Sequence, residues 1–105
     1  MSRLAKIQQM LQADPNDVFL NFSLAMEYVK ENRLAEAVAQ FERVTQLDPN
    51  HVAAYTQRAS VLVNLKRTDD ARRVLEQGIA AAQRAGDSHA AEKMAQTLAL
   101  LSSGS

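Results

Sequence analysis

The chain has 105 residues, 47% of them apolar and 5% aromatic, and its 12 Lys and Arg are balanced by 12 Asp and Glu. That length suits one small domain, and the even charge argues against nucleic acid, whose phosphates call for clustered cations. Cysteine is absent and the two histidines, His51 and His89, stand far apart, which excludes disulfides, thiolate nucleophiles and His- or Cys-rich metal sites.

No stretch alternates apolar and polar residues as a half-buried strand would. Breaks fall instead at Asp14-Pro15-Asn16-Asp17, Glu31-Asn32-Arg33, Asp48-Pro49-Asn50, Lys66-Arg67-Thr68 and Gly86-Asp87-Ser88. Between them lie six segments of helix length, so the expected fold class is all-α. The first segment carries Leu4, Ile7 and Met10 on one face. The second, Asp17 to Glu31, is apolar on nearly all sides, and Asn16 or Asp17 is placed to cap it. The third ends at Asp48-Pro49, because the residue before proline is pushed out of the α region, and Asn50 is placed to cap the fourth. Gly86 supplies a left-handed stop for the fifth. Asp87 or Ser88 caps the last, with Glu92 as in a loose capping box. The longest apolar runs, Ile79–Ala82 and Leu98–Leu101, are four residues, against about 20 for a membrane span. With no secretory signal at the N-terminus, a soluble, cytoplasmic protein is expected.

The two prolines sit in identical tripeptides, Asp14-Pro15-Asn16 and Asp48-Pro49-Asn50, 34 residues apart. Two helices inside a fixed period of that size mark a helix-turn-helix solenoid. Leu24-Ala25-x-x-Tyr28 aligns with Arg58-Ala59-x-x-Leu62, and Ala37-x-x-x-Phe41 with Ala71-x-x-x-Leu75. In these residues the chain resembles the tetratricopeptide repeat (TPR) family. Val18–His51 matches as a first full unit through Leu24, Ala25, Tyr28, Ala37, Phe41 and Pro49. Val52–Ala85 matches as a second through Tyr55, Ala59, Leu62, Ala71 and Leu75, departing at Arg58 and at Gln83, where proline would stand. Residues 1–17 resemble half a unit, 86–101 a closing helix, and 102–105 a polar tail. Without the proline, the helix starting near Asp69 is expected to run to about Ala85. Ala25, Ala37, Ala59 and Ala71 mark close helix approaches, and Tyr28, Phe41, Leu62 and Leu75 fill the space between paired helices.

The resemblance implies a right-handed superhelix of antiparallel helix pairs, with ligands held in a concave groove lined by the first helix of each pair. Carried over position by position, the groove residues are Phe19, Phe22, Ser23, Met26, Val29 and Lys30, then Ala53, Thr56, Gln57, Ser60, Val63 and Asn64. At about 100° per residue, Phe19, Phe22, Met26 and Val29 share an arc of roughly 80°, opposite Leu24, Ala25 and Tyr28. Gln57, Ser60 and Asn64 form a neutral polar stripe. Two outcomes are open for the apolar stripe: the segment Ser2–Ala13 folds over it, making it core, or it stays partly exposed, an unusual apolar patch on a monomer. Some TPR domains grip a C-terminal carboxylate, but the matching positions here are Phe22, Met26, Gln57, Asp87 and Ala91. Their lack of cations favours an apolar or helical ligand over an acidic tail.

No pair or triad of side chains suggests catalysis. His51 and His89 read as solvated histidines, and Asp69 and Asp70 face Arg72 and Arg73 within a turn. Arg67, Arg72, Arg73 and Arg84 are interleaved with Asp69, Asp70 and Glu76, which suits a salt-bridged solvent face. No cofactor or metal is expected. The function expected is a non-catalytic adaptor that binds a protein or peptide. The alternative is a structural subunit that self-assembles as a homodimer through the apolar edge. A third reading, a piece of a longer array, is disfavoured by the missing second proline and by the tail Ser102-Ser103-Gly104-Ser105.

Overall fold

The computed structural model describes residues 1–103, which form six helices and, among those residues, no strand. They are α1 (Arg3–Ala13), α2 (Val18–Lys30), α3 (Leu34–Leu47), α4 (Val52–Asn64), α5 (Thr68–Arg84) and α6 (Ser88–Ser103). Each packs on its chain neighbours, giving a curved slab of 44 × 29 × 17 Å. The longest helix has 17 residues, and among the described residues no helix is long and apolar enough to cross a membrane.

The alanines at the close approaches are sealed: Ala25, Ala37 and Ala71 have no exposed surface and Ala59 only 2%. Phe41 and Leu62 are wholly buried, with Leu75, Tyr28 and Tyr55 close behind. Two neighbouring helices can approach so closely only where one side chain at the crossing is small.

Three helices end in the same way. Asn32, Lys66 and Gly86 take φ of 59°, 63° and 73°. The next amide reaches back to an orphan carbonyl: Arg33 to Tyr28, Arg67 to Leu62 and Asp87 to Ala82, at 2.8, 2.9 and 2.8 Å. These six-to-one bonds satisfy carbonyls that a helix end leaves free. At the two proline turns, Asp14 N–H donates to Met10 O and Asp48 N–H to Val44 O. Arg33 then bridges Glu36, and Arg67 bridges Asp70, at equivalent places. The hydrogen bond from Arg33 holds the Glu36 carboxyl below its ordinary range, and the one from Arg67 does the same for Asp70. Both pairs are exposed, so they pin turn geometry more than they add stability. The Asp69–Arg72 and Asp70–Arg73 pairs expected within α5 also form.

The caps differ from expectation in part. Asp17 accepts from Leu20 N–H at 2.8 Å and Asp87 from Ala90 N–H at 3.0 Å. Asn16 and Asn50 cap nothing, because their side-chain oxygens accept from Arg43 at 2.7 Å and Arg84 at 2.9 Å. The cap of α4 is His51, whose Nδ1 accepts from Ala54 N–H at 3.2 Å. His51 is therefore half-buried structure and not a solvated loop histidine. At the other end α6 passes residue 101 and runs to Ser103, where Arg72 donates to Leu101 O at 3.0 Å and Ser103 Oγ to Leu100 O at 3.2 Å. Gly104 and Ser105, the rest of the expected polar tail, lie outside the described residues.

Candidate functional site

The first helices of successive pairs, α2, α4 and α6, carry the residues expected to meet a ligand. On α2 the Asp17 cap starts the helix one turn before Phe22, so Phe19, Phe22, Met26 and Val29 fall in one row. Phe22 is half-buried: its ring meets Phe41 edge-on at 5.7 Å and lies 4.9 Å from the ring of His51. That ring anchors the row to the core. Phe19 is 75% exposed and Met26 37%, with Val29 and Ser23 half-buried and Lys30 exposed.

Residues 2–13 do not cover this row. Helix α1 buries Leu4 and Ile7 and lies beside the row, so Met10, expected in the same seam, is 49% exposed. Two side chains of α1 reach α2: Arg3 Nε meets Glu27 Oε1 at 2.7 Å, and Gln8 Nε2 donates to Tyr28 Oη at 3.4 Å. Two grooves result. One, of ≈ 490 Å³, is lined by Phe19, Phe22, Ser23, Met26, Val29 and Lys30 together with Arg3 and Glu27. The other, of ≈ 410 Å³, lies between α1 and α2 and shares Arg3, Phe19 and Ser23 with the first, adding Lys6, Ile7, Met10 and Leu20. Phe19 is the ridge between them.

On α4 the row changes character. Thr56, Ser60 and Asn64 occupy the places of Phe22, Met26 and Lys30 one repeat later. They line a third groove, of ≈ 450 Å³, against α6, with Ala59, Val63, Leu75 and Met94 also in its wall. Gln57 is half-buried and Ala53 exposed, and neither lines any of these grooves. The α6 wall brings His89, Lys93 and Thr97, with Asp87 at its start. His89, Lys93 and Thr97 are not among the residues expected on the ligand face. The signal was present, since they repeat every fourth residue along one side of α6. Of the two carried-over positions there, Asp87 lines the groove while Ala91 is buried in the core.

Chemically, the α2 end offers apolar surface rimmed by cations, and the α4–α6 groove offers hydroxyl, amide, imidazole and ammonium groups over an apolar floor. Among the described residues no group of three or more His, Cys, Asp or Glu is placed to hold a metal ion.

The family model described as tetratricopeptide repeat matches residues 28–97, from the end of α2 into α6. The chain belongs to the tetratricopeptide repeat family. A TPR domain protein from Salinibacter ruber, solved in solution, is 31% identical and superposes with a TM-score of 0.77 over 84% of this chain and 89% of that one. The TPR2B domain of yeast Sti1, solved as a complex with pHsp70, is 20% identical, with a TM-score of 0.85 over 97% of this chain and 82% of that one. PcrH, solved in complex with the chaperone-binding region of PopD, is 15% identical, with a TM-score of 0.87 over 95% and 76%. These last two show the shared TPR fold. A comparison with curated proteins finds no match.

Proposed function

We propose that this TPR chain is a protein–protein interaction module, an adaptor that takes a peptide or partner helix across the face built by α2, α4 and α6. Phe19 and Met26 serve as apolar anchors, with Ser23, Val29 and Lys30 beside them. Thr56, Ser60 and Asn64 supply hydrogen bonds farther along, and Phe22 holds the anchor row to the core. The observation that carries this reading is Phe19, a large aromatic left 75% exposed on the ridge between two grooves. Burying the Phe19 ring is worth roughly 1.5–3 kcal/mol in gross terms, before the cost of association, and Met26, only 37% exposed, adds less. That TPR relatives are solved holding protein segments, Sti1 with pHsp70 and PcrH with a region of PopD, supports the same reading.

The test is selection from a displayed random-peptide library, followed by an amide chemical-shift titration of the labelled chain with a selected peptide. Shifts on α2, α4 and α6, with or without the α1 residues that flank Phe19, support the reading. Shifts on α3 and α5 instead, or no selectable binder, refute it.

A second reading draws on Met10 and Phe19, which line one cleft and are 49% and 75% exposed. There the same edge meets its copy across a twofold axis. Sedimentation over a concentration series separates the two, because a monomer at every concentration removes self-assembly.

A further inference from the structure

The charges around the apolar end of the molecule are unlike those of the chain as a whole. Overall the cations and anions balance at 12 each. The two joined grooves flanking Phe19 are lined by three cations, Arg3, Lys6 and Lys30, and one carboxylate, Glu27. Glu27 is only 9% exposed and already meets Arg3. That ion pair uses Arg3 Nε, and the Arg3 side chain as a whole stays 73% exposed. Lys6 and Lys30 are exposed as well, and α1 carries no acidic residue at all. A positive rim therefore surrounds the apolar ridge formed by Phe19 and Met26.

Two further features narrow the occupant. Apart from the charged groups, Ser23 is the single hydrogen-bonding side chain in these two grooves. An extended peptide laid there would find few partners for its backbone N–H and C=O groups, whereas a helix satisfies its own. The α4–α6 groove, with Thr56, Ser60, Asn64 and Thr97, has the polar groups an extended segment needs. A second copy of the chain would bring like-charged rims together, which opposes association.

From this juxtaposition of an apolar ridge and a rim in which Lys6 and Lys30 exceed the Arg3–Glu27 pair, we infer that the α1–α2 end binds an amphipathic helix whose apolar stripe is flanked by acidic side chains. The inference rests on the interaction-module reading and adds the chemistry and the secondary structure of the partner.

The test uses three labelled synthetic peptides of eighteen residues with the full chain. One has a leucine stripe at helical spacing flanked by Glu. The second replaces each Glu by Lys. The third scrambles the first so that the leucines lose their stripe. The account expects the acidic amphipathic peptide to bind about tenfold or more tighter than the other two, with affinity falling as salt rises. A Lys6→Glu, Lys30→Glu double variant, which leaves the Arg3–Glu27 pair intact, should reverse the preference between the Glu and Lys peptides. Equal binding of those two peptides, or a footprint on α4 and α6, overturns the inference. Should these peptides fail while a library-selected extended peptide still shifts α4 and α6, the inference falls and the interaction-module reading stands. Failure of both kinds of ligand refutes both.

Discussion

Asn21 and Tyr55 stand one repeat apart, and each donates a side-chain hydrogen bond to the carbonyl of the proline six residues before it. Asn21 Nδ2 reaches Pro15 O at 3.1 Å, and Tyr55 Oη reaches Pro49 O at 2.8 Å. An amide and a phenol thus do the same work, tying the first turn of a helix to the proline turn that precedes it. Asn21 is tied further, donating to Asp17 O at 2.8 Å and accepting from Gln40 at 2.6 Å. Tyr55→Phe should cost about 1 kcal/mol, the net value of one such bond. Asn21→Ala, which strands several groups, should cost about 1–3 kcal/mol. Urea unfolding measures both, and an unchanged midpoint for Asn21→Ala would mean the turn holds without its side-chain tie.

Lys66 occupies the left-handed position that closes α4, with φ of 63°. A side chain there is strained by about 1–2 kcal/mol, which glycine avoids. Glycine loses part of that gain through its freer unfolded chain. Lys66→Gly should therefore raise stability by about 0.5–1 kcal/mol, read as a higher urea midpoint. A lower midpoint would show that the turn at Lys66 is unstrained.

Gly78 lies inside α5 where Val44 stands in α3, one repeat earlier. A Cβ at Gly78 would sit 2.6 Å from Met94 Sδ and 2.8 Å from Tyr55 Cβ. Met94 can swing aside, but the Tyr55 Cβ cannot. Overpacking of this kind costs typically about 1–3 kcal/mol, against a helix-propensity gain of about 1 kcal/mol for alanine. Gly78→Ala should destabilise on balance, by thermal unfolding. A stabilised variant would mean that α4 and α6 do not press on α5 so closely.

His51 combines two roles that substitutions can separate. His51→Asn keeps a capping acceptor for Ala54 but removes the ring beside Phe22, while His51→Ala removes both. The alanine variant should be the less stable of the two by about 1 kcal/mol, the usual worth of an N-cap. Equal stabilities in urea would show that the cap contributes nothing.

The architecture was legible because the repeated Asp-Pro-Asn punctuates the chain at a fixed period and because small residues at Ala25, Ala37, Ala59 and Ala71 recur in register. Each of those signals is read from residue identity and spacing alone, and every one of the four alanines is buried. What was not legible depends on which side chains of different helices touch. A glycine inside a helix reads as a weak helix former, and only the third dimension shows Met94 and Tyr55 pressing on Gly78. His51 looked solvated because nothing in its neighbourhood of sequence reveals the Phe22 ring. Whether α1 lies over or beside the α2 row turns on its packing angle, which an apolar face of three residues leaves open. The α6 wall with His89, Lys93 and Thr97 escaped because each stands one residue before the 34-residue equivalent of Thr56, Ser60 or Asn64.

The central claim is that Phe19 and Met26 are exposed for binding and are not part of what holds the fold together. The direct measurement is a paired one on the Phe19→Asp, Met26→Asp variant: urea unfolding, and affinity for a peptide selected on the native chain. The account predicts a stability change within about 0.5 kcal/mol, as for surface positions, with binding lost. A variant that unfolds, or one that keeps its affinity, would contradict it.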